Sequence, residues 1–489
     1  MQITITNPEW LLASLFALAA MLALLLLVAQ PLLRYVIAKV FNDAVSKLLT
    51  EKYTQNVAEL LPSLKRFSVL NAIELSLRAE NGTTVGRPLG SPKHYLGFEN
   101  LMFTPCQMKQ VSLFADAPVD VSVIIGRTAK KPLKLEMPLM IGAMAYGLAL
   151  SEQAKVALAK ASRTLGTALC SGEGPILPEE GQAAGKYILQ ISRWCWGLRT
   201  DEQIASADML EVQMGQGADT GSAWLEAAEL AGRPANLAGL KPGEPAQSLP
   251  APPGIERAED WPDFMQRLRE RANGIPIALK LMASDSLEAD IAIAIELGFD
   301  AIILDGAQGG SHASPIIKQD DFGIPTLHAL IRAKRYLADS PISLIIAGGL
   351  FTPGQCLKAL ALGADAIYLA TVPLFALAHK QAEKVTPWEP LTTLVFYDSP
   401  THTQLDIDLA ATGVVNTFKS MILEMQEALR AMGKSSLSQL SPDDLVALDT
   451  DTAGVTGVKY VCNPIKVPPK KAFSRYEKLR VKKIRIRSV

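Results

Sequence analysis

Short apolar runs, many of them β-branched, recur along this chain at Pro138–Ala143, Thr167–Cys170, Tyr187–Ile191, Met209–Val212, Ile275–Leu281, Ala301–Leu304, Ile342–Ile346 and Ala366–Leu369. They show little polar alternation, which is the pattern of strands buried on both faces. Helical spacing lies between several of them, clearest at Leu287–Leu297, Thr326–Leu337 and Pro353–Leu362. A further helix over Ser151–Arg163 has Ser151 as its cap. Eight strand-plus-connection units predict an α/β chain folded as a (β/α)₈ TIM-type barrel, with its chemistry at the carboxyl ends of the strands. A doubly wound sheet is the alternative, but no early GxGxxG turn supports it. A long Pro-, Gly- and Ala-rich insertion, Gly215 to Asn273, separates the fourth and fifth strands. Loops of that length are lids or carry structure of their own. After the eighth strand, Phe418 to Met432 reads as an amphipathic helix.

The amino-terminal pattern differs. Trp10 to Val28 carries no charge, enough apolar chain to cross a bilayer core of roughly 30 Å. A cleaved signal peptide has a basic start, and Met1 to Glu9 has none. Positive charge comes afterwards, at Arg34, Lys39 and Lys47, which places the amino terminus outside and the rest of the chain in the cytoplasm. The expected organisation is an anchor over 1–34 (transmembrane helix about 10–30), a juxtamembrane helical segment over 35–92, the barrel over 93–460 and a basic tail over 461–489. That tail, crowded with basic residues from Lys466 to Arg487, could bind nucleic acid, but beside a membrane anchor it more simply suits anionic cytoplasmic lipids, with a plain solvated tail as the other reading. The expected location is the inner (cytoplasmic) membrane, single-pass, with the catalytic domain on the cytoplasmic side.

Bulk composition narrows the classes. The 489 residues have a formal net charge of −1, so no overall field favours nucleic acid. Five scattered cysteines, at 106, 170, 195, 356 and 462, have neither zinc nor iron–sulfur spacing and fit a reducing compartment. No metal site is expected.

Candidate chemistry clusters where the barrel pattern puts strand ends. Gly142-Ala143-Met144 follows the first strand, with small residues and backbone amides suited to lying beneath a planar ring. Ser171-Gly172-Glu173-Gly174 offers a carboxylate on a glycine hinge. Lys280 lies inside the fifth strand, where an ammonium is costly unless it meets an anion or an electron-rich ring. Asp305, Gly309, Gly310 and His312 follow the sixth strand, and the paired glycines let backbone approach a flat or anionic ligand. Gly348-Gly349 after the seventh strand and Ala370-Thr371 after the eighth have the form of a barrel phosphate cradle.

Several ordered segments carry a resemblance: GFENLMFTP, VSVIIGRTAKKPL, MPLMIGAMAYG, ALCSGEGP, EVQMGQGADTG, GLKPGEPAQS, IALKL, LDGAQGGSHASP, IAGGLFTPGQC and LGADAIYLAT. Over roughly 93–460 the chain resembles the FMN-binding glutamate synthase family. The resemblance implies one FMN, with Gly142, Ala143, Met144, Gln190, Gln216 and Lys280 around the isoalloxazine and ribityl chain. Gly309, Gly310, Gly348, Gly349, Ala370 and Thr371 would hold its phosphate. Glu173 matches the glutamate that faces substrate, so Glu173, Lys280 and His312 are the catalytic candidates. Departures are equally informative. The region ATVPLFALAHKQAEK has no cysteine, so no iron–sulfur cluster is expected. Two family lysines near the 2-oxoglutarate site are Gln213 and Asp219 here, and the family's HDGGTG stretch reads DGAQGGSH, which adds His312.

The leading expectation is a membrane-anchored oxidoreductase that reductively aminates 2-oxoglutarate to glutamate through the imino acid, with ammonia from solution or a partner. The runner-up is an FMN dehydrogenase for another small substrate, exchanging electrons with membrane quinone. A nucleotide dehydrogenase is disfavoured, because Asp305–Pro315 lacks a nucleophilic cysteine. A membrane-tethered flavin-binding scaffold without turnover stands apart from both.

Overall fold

The structure, a computed structural model, describes residues 8–463 apart from 57, 59, 313 and 339. From 464 onward the basic tail lies outside the described residues. The chain divides into two compact units, 1–85 and 86–489.

The first unit is helical. One helix, Pro8–Thr50, runs for 43 residues through Pro31, so the apolar stretch is the opening half of a longer rod. A window within it has a mean hydropathy of 2.7, and none of that window is buried. A second helix, Leu60–Asn81, is broken at Ser68, where φ is +65°.

The second unit is built on a closed barrel of eight parallel strands. They are β1 (Leu139–Ile141), β2 (Ala168–Cys170), β3 (Lys186–Ile191), β4 (Met209–Gln213), β5 (Ile277–Met282), β6 (Ala301–Asp305), β7 (Ser343–Ala347) and β8 (Ala366–Leu369). Each coincides with a run read from the sequence, and β8 closes on β1 through Ile367 and Leu139. Strand parity divides the core in two. Leu139, Leu169, Leu189, Leu210, Leu279, Ile302, Leu344 and Ile367 face outward into the layer shared with the helices. Met140, Ala168, Ile188, Met209, Ala278, Ile303, Ile345 and Ala366 face inward.

A short hairpin precedes the barrel, pairing Val123–Ile125 with Leu133–Leu135. Its Ile125, Leu133 and Leu135 belong to the inner cluster, so the hairpin closes the barrel floor and leaves the opposite end open. Its three-residue strands are too brief for a periodicity argument. The long insertion has structure of its own: a two-stranded hairpin, Trp224–Leu225 with Ala246–Gln247, and helices Arg233–Ala238 and Trp261–Arg271. The carboxyl-terminal helix spans Ile407–Ala431, beginning well before the expected Phe418. Asp406 caps it, accepting from the amides of Asp408 and Leu409. Gly413, which interrupts the apolar pattern, sits where a Cβ would lie 2.4 Å from the Ala376 carbonyl oxygen.

One buried pair ties helix Glu152–Leu165 to the barrel mouth. Lys155, wholly buried, lies 2.6 Å from Glu180 Oε1. Its Nζ also donates to the carbonyls of Met144 at 2.6 Å and Ser171 at 2.9 Å. It thereby fixes the backbone after β1 and after β2 together. Lys155→Met leaves the Glu180 carboxyl without its cation, and urea unfolding should show a loss of about 3–5 kcal/mol. Lys155→Met with Glu180→Leu should recover part of that loss but not all, because the two carbonyls stay unpaired. Full recovery would show that the carbonyl contacts contribute nothing.

Candidate active site

The inward parity that is apolar at the barrel floor turns polar at its open end. Gln190 on β3, Glu211 and Gln213 on β4, Lys280 on β5, Asp305 on β6 and Tyr368 on β8 all belong to this upper layer, and all are buried. Lys280 is its centre. Its Nζ lies 3.8 Å from Glu211 Oε1 and 3.8 Å from Asp305 Oδ2, and 5.2 Å from the centre of the Tyr368 ring. Burial works against its charge, but Asp305 and Glu211 outweigh it and the ammonium titrates above its ordinary value. Glu211 also accepts from Gln190 Nε2 at 2.6 Å and from the Tyr368 hydroxyl at 2.8 Å. Burial raises Asp305, moderated by Lys280 and by the Gly217 amide, which donates to Oδ2 at 2.7 Å. Its other oxygen, Oδ1, has no partner, and neither has Gln190 Oε1.

A second cluster lies over the ends of β2 and β4. Gln213 Nε2 donates to Glu173 Oε2 at 2.8 Å and to Asp219 Oδ2 at 3.3 Å. Arg193 pairs with Asp219 at 3.2 Å and donates to the Gly221 carbonyl at 2.6 Å. Glu173 is part-buried, with its carboxyl recessed; burial, then the Asp219 charge, push it up to about 8. The Glu173 carbonyl accepts from Ser192 Oγ at 3.2 Å and from the Trp196 indole at 2.8 Å, which fixes the backbone that carries it. Gly172, just before, has φ +73°, and a Cβ there would lie 2.6 Å from the Met144 carbonyl carbon. Only glycine fits.

Both clusters open into one cavity of about 610 Å³, a size typical of cofactor sites. Its far wall is made by Gly309, Gly310, Gly348, Gly349, Ala370 and Thr371. Gly349 has φ +71°, and a Cβ there would lie 2.5 Å from Gln308 Cβ. Gln308 is itself fixed, because its Oε1 accepts from the amide and hydroxyl of Thr326, both at 2.8 Å, at the start of helix Thr326–Leu337.

Gly142, Ala143, Met144, Glu173, Gln216, Lys280 and His312 line the same cavity. Gln190 lies one contact behind it, donating to Gln216 Oε1 at 3.0 Å. His312 stands at the rim, 3.2 Å from Asp398 and stacked obliquely on Phe396 at 4.3 Å. The sequence reading passed over Glu211, Arg193 and Tyr368. Parity was the available signal for Glu211, which shares the inward side of β4 with Gln213; Arg193, on a loop, gave none.

A family model described as "Conserved region in glutamate synthase" matches residues 91–435. The chain belongs to the glutamate synthase family. A glutamate synthase large subunit-like protein of Rhizobium meliloti is 30% identical over 409 residues, covering 79% of this chain and 92% of that protein. An archaeal-type glutamate synthase [NADPH] of Thermotoga maritima is 27% identical, covering 75% and 78%. The corresponding archaeal enzyme of Methanocaldococcus jannaschii is 27% identical, covering 79% and 83%. A solved mandelate oxidase aligns over 70% of this chain and 87% of its own, at 16% identity and a TM-score of 0.45; that likeness adds nothing to the barrel already described.

The Glu173 setting has a pH signature. Its carboxyl keeps its proton in the fold up to about pH 8, against an ordinary value of 4.5. The stability this contributes is complete below the ordinary value and is lost as pH rises through the folded value. Between pH 5 and 8.5 the native protein should lose on the order of 1–3 kcal/mol relative to Glu173→Gln. Parallel stability curves for the two proteins would contradict the assignment.

Proposed function

We propose that this chain is a membrane-anchored, FMN-dependent oxidoreductase of the glutamate synthase type. The observation that carries the cofactor is on the cavity lining: a buried, unpartnered oxygen, Asp305 Oδ1, beside the Lys280 ammonium, in a cavity also lined by glycines. Such an oxygen is costly unless a ligand donates to it. Gly142, Ala143, Met144, Gln190, Gln216 and Lys280 are the residues to hold the ring and ribityl chain. Gly309, Gly310, Gly348, Gly349, Ala370 and Thr371 are those for the phosphate. Bound there, FMN supplies two-electron hydride chemistry.

The chain's own residues do the rest. Lys280 keeps a fixed positive charge at the floor, where negative charge is best stabilised. Glu173, with a carboxyl that titrates near neutrality, holds or gives up a proton at the substrate. His312, oriented by Asp398, is a second proton-carrying group at the rim. The relatives' names point to reductive amination of 2-oxoglutarate to glutamate, with ammonia from solution or a partner. A second reading, another small substrate with electrons exchanged with membrane quinone, is favoured by the Gln213–Asp219–Arg193 contacts, which commit the nearby guanidinium. No iron–sulfur cluster is proposed, since Ala370–Lys384 lacks cysteine.

The anchor rests on helix Pro8–Thr50, apolar all round over its first half and without a buried face, which is the character of a lipid-facing span. With Arg34, Lys39 and Lys47 following its apolar half within the same helix, the barrel lies on the cytoplasmic side of the inner membrane, and the basic tail favours anionic lipids.

Purified protein should be yellow, with one FMN per chain and no iron; stoichiometric iron, or refusal of added FMN, would refute the corresponding half. Removing residues 1–34 should release a soluble flavin-loaded barrel, whereas salt alone should not extract the full chain. Lys280→Met keeps the aliphatic stem and deletes the charge. Loss of a contact worth roughly 1.5–3 kcal/mol should lower the flavin midpoint potential by about 30–65 mV. An unchanged potential in a folded, FMN-loaded variant would displace Lys280 from this role.

A further inference from the structure

We propose that residues 86–95 form a lid over the glycine wall of the cavity, clasped shut at Asp320, and that opening this lid sets the rate at which FMN enters and leaves. This deepens the FMN oxidoreductase reading and rests on it. Pro88, Leu89 and the run Ser91–Tyr95 line the cavity. The segment is pressed onto the loop that carries Gly309 and Gly310: a Cβ on Gly90 would lie 3.0 Å from the Gln308 carbonyl oxygen and 3.3 Å from Gly310 Cα. Gly90 is the one residue buried between Gly86 and Tyr95. Leu89, just before it, is exposed and has φ +67°. A left-handed conformation is costly for such a residue, and residues held that way collect at ligand clamps and switch segments.

What holds the segment down is polar and converges on one residue. Arg87 pairs with the Asp320 carboxylate, their side chains 13% and 16% exposed. Ser91 Oγ donates to the same carboxylate oxygen at 2.6 Å. Lys93 Nζ donates to the Asp320 carbonyl at 2.7 Å and to Asp321 at 2.5 Å, and the Tyr95 hydroxyl reaches that carbonyl at 3.4 Å. Beside them Gln319 donates to the carbonyls of Arg87 and Ser314, and Gly86 bridges to Pro315. Beyond Tyr95 the chain is anchored differently. Phe98 and Leu101 are buried in the core, and Leu101–Phe103 pairs with Leu445–Ala447. The Phe98 carbonyl and the Glu99 carboxylate are also tied to Lys358 and Gln355 beyond β7. One end is thus fixed by apolar burial, while the other is held by hydrogen bonds and ion pairs that water can replace. A segment of that kind opens locally at low cost, here by turning at Leu96–Gly97. Asp320 ends the short helix Ile316–Asp320 that follows β6, so the closed lid also braces the stretch of chain that carries Gly309 and Gly310. Closed, it covers those glycines; open, it uncovers them and gives FMN a way in or out.

The test uses the full-length protein in detergent. Flavin fluorescence follows FMN release from the loaded protein, with excess apoflavodoxin as the trap, and FMN uptake by the same protein stripped of flavin. Asp320→Asn should speed release roughly tenfold and uptake at least about threefold, because a lid that is open more often admits FMN as well as freeing it. Ser91→Ala with Lys93→Ala leaves the helix Ile316–Asp320 untouched and should move both rates the same way by a smaller factor. Hydrogen exchange across residues 86–95 should quicken in Asp320→Asn while that of helix Thr326–Leu337 stays as in the native protein. Unchanged rates in folded, FMN-loaded Asp320→Asn overturn the lid and leave the FMN reading standing. Faster release with unchanged or slower uptake does the same, since it marks Asp320 as a static support. If Asp320→Asn does not fold, the Ser91 and Lys93 double variant decides by the same criteria. A colourless native protein that rejects added FMN overturns both.

Discussion

A parallel barrel has no room for an uncompensated charge, and the open end of this one is arranged around a single ammonium. Lys280 points inward from β5 at 3% exposure, so its charge requires opposite charge from neighbouring strands. Glu211 from β4 and Asp305 from β6 supply it, and each needs partners in turn. Gln190, Tyr368 and the Gly217 amide follow from that requirement. The polar layer is therefore one connected set, and changing any member leaves another buried group short of a partner.

The same reasoning explains why the cavity is not self-sufficient. The network satisfies one oxygen of Asp305 and the amide nitrogen of Gln190 but leaves Asp305 Oδ1 and Gln190 Oε1 without donors. Stability alone would have favoured apolar residues there. Asp305, which lines the cavity, keeps its unpaired oxygen for a ligand that completes it. Rigidity comes from outside the barrel, where Lys155 clamps the Met144 and Ser171 carbonyls and holds in place the loops carrying Met144 and Glu173.

In the proposed function, Glu173 and Lys280 would divide the chemistry by environment. Lys280 keeps its proton because two carboxylates face it. Glu173 also keeps one near neutrality, because it is recessed and Asp219 adds a like charge. One group gives a constant field and the other an exchangeable proton, a separation set by neighbours and not by residue type.

The sequence by itself determined the barrel, because strands buried on both faces must be continuous apolar runs, and each of the eight was visible as one. It also marked the glycine loops, Glu173, Lys280 and the apolar amino-terminal helix, each conspicuous for breaking or exceeding its local pattern. Tertiary structure alone decided which groups meet. That Lys280 faces Glu211 depends on the register pairing Lys280 with Gln213 across β5 and β4. That Arg193 neutralises Asp219 depends on two loops meeting above the barrel. The floor hairpin, with three-residue strands, was invisible because its stability comes from burial in the inner core. Periodicity reports which face of an element is buried; it carries no information about which distant side chain waits on the other side.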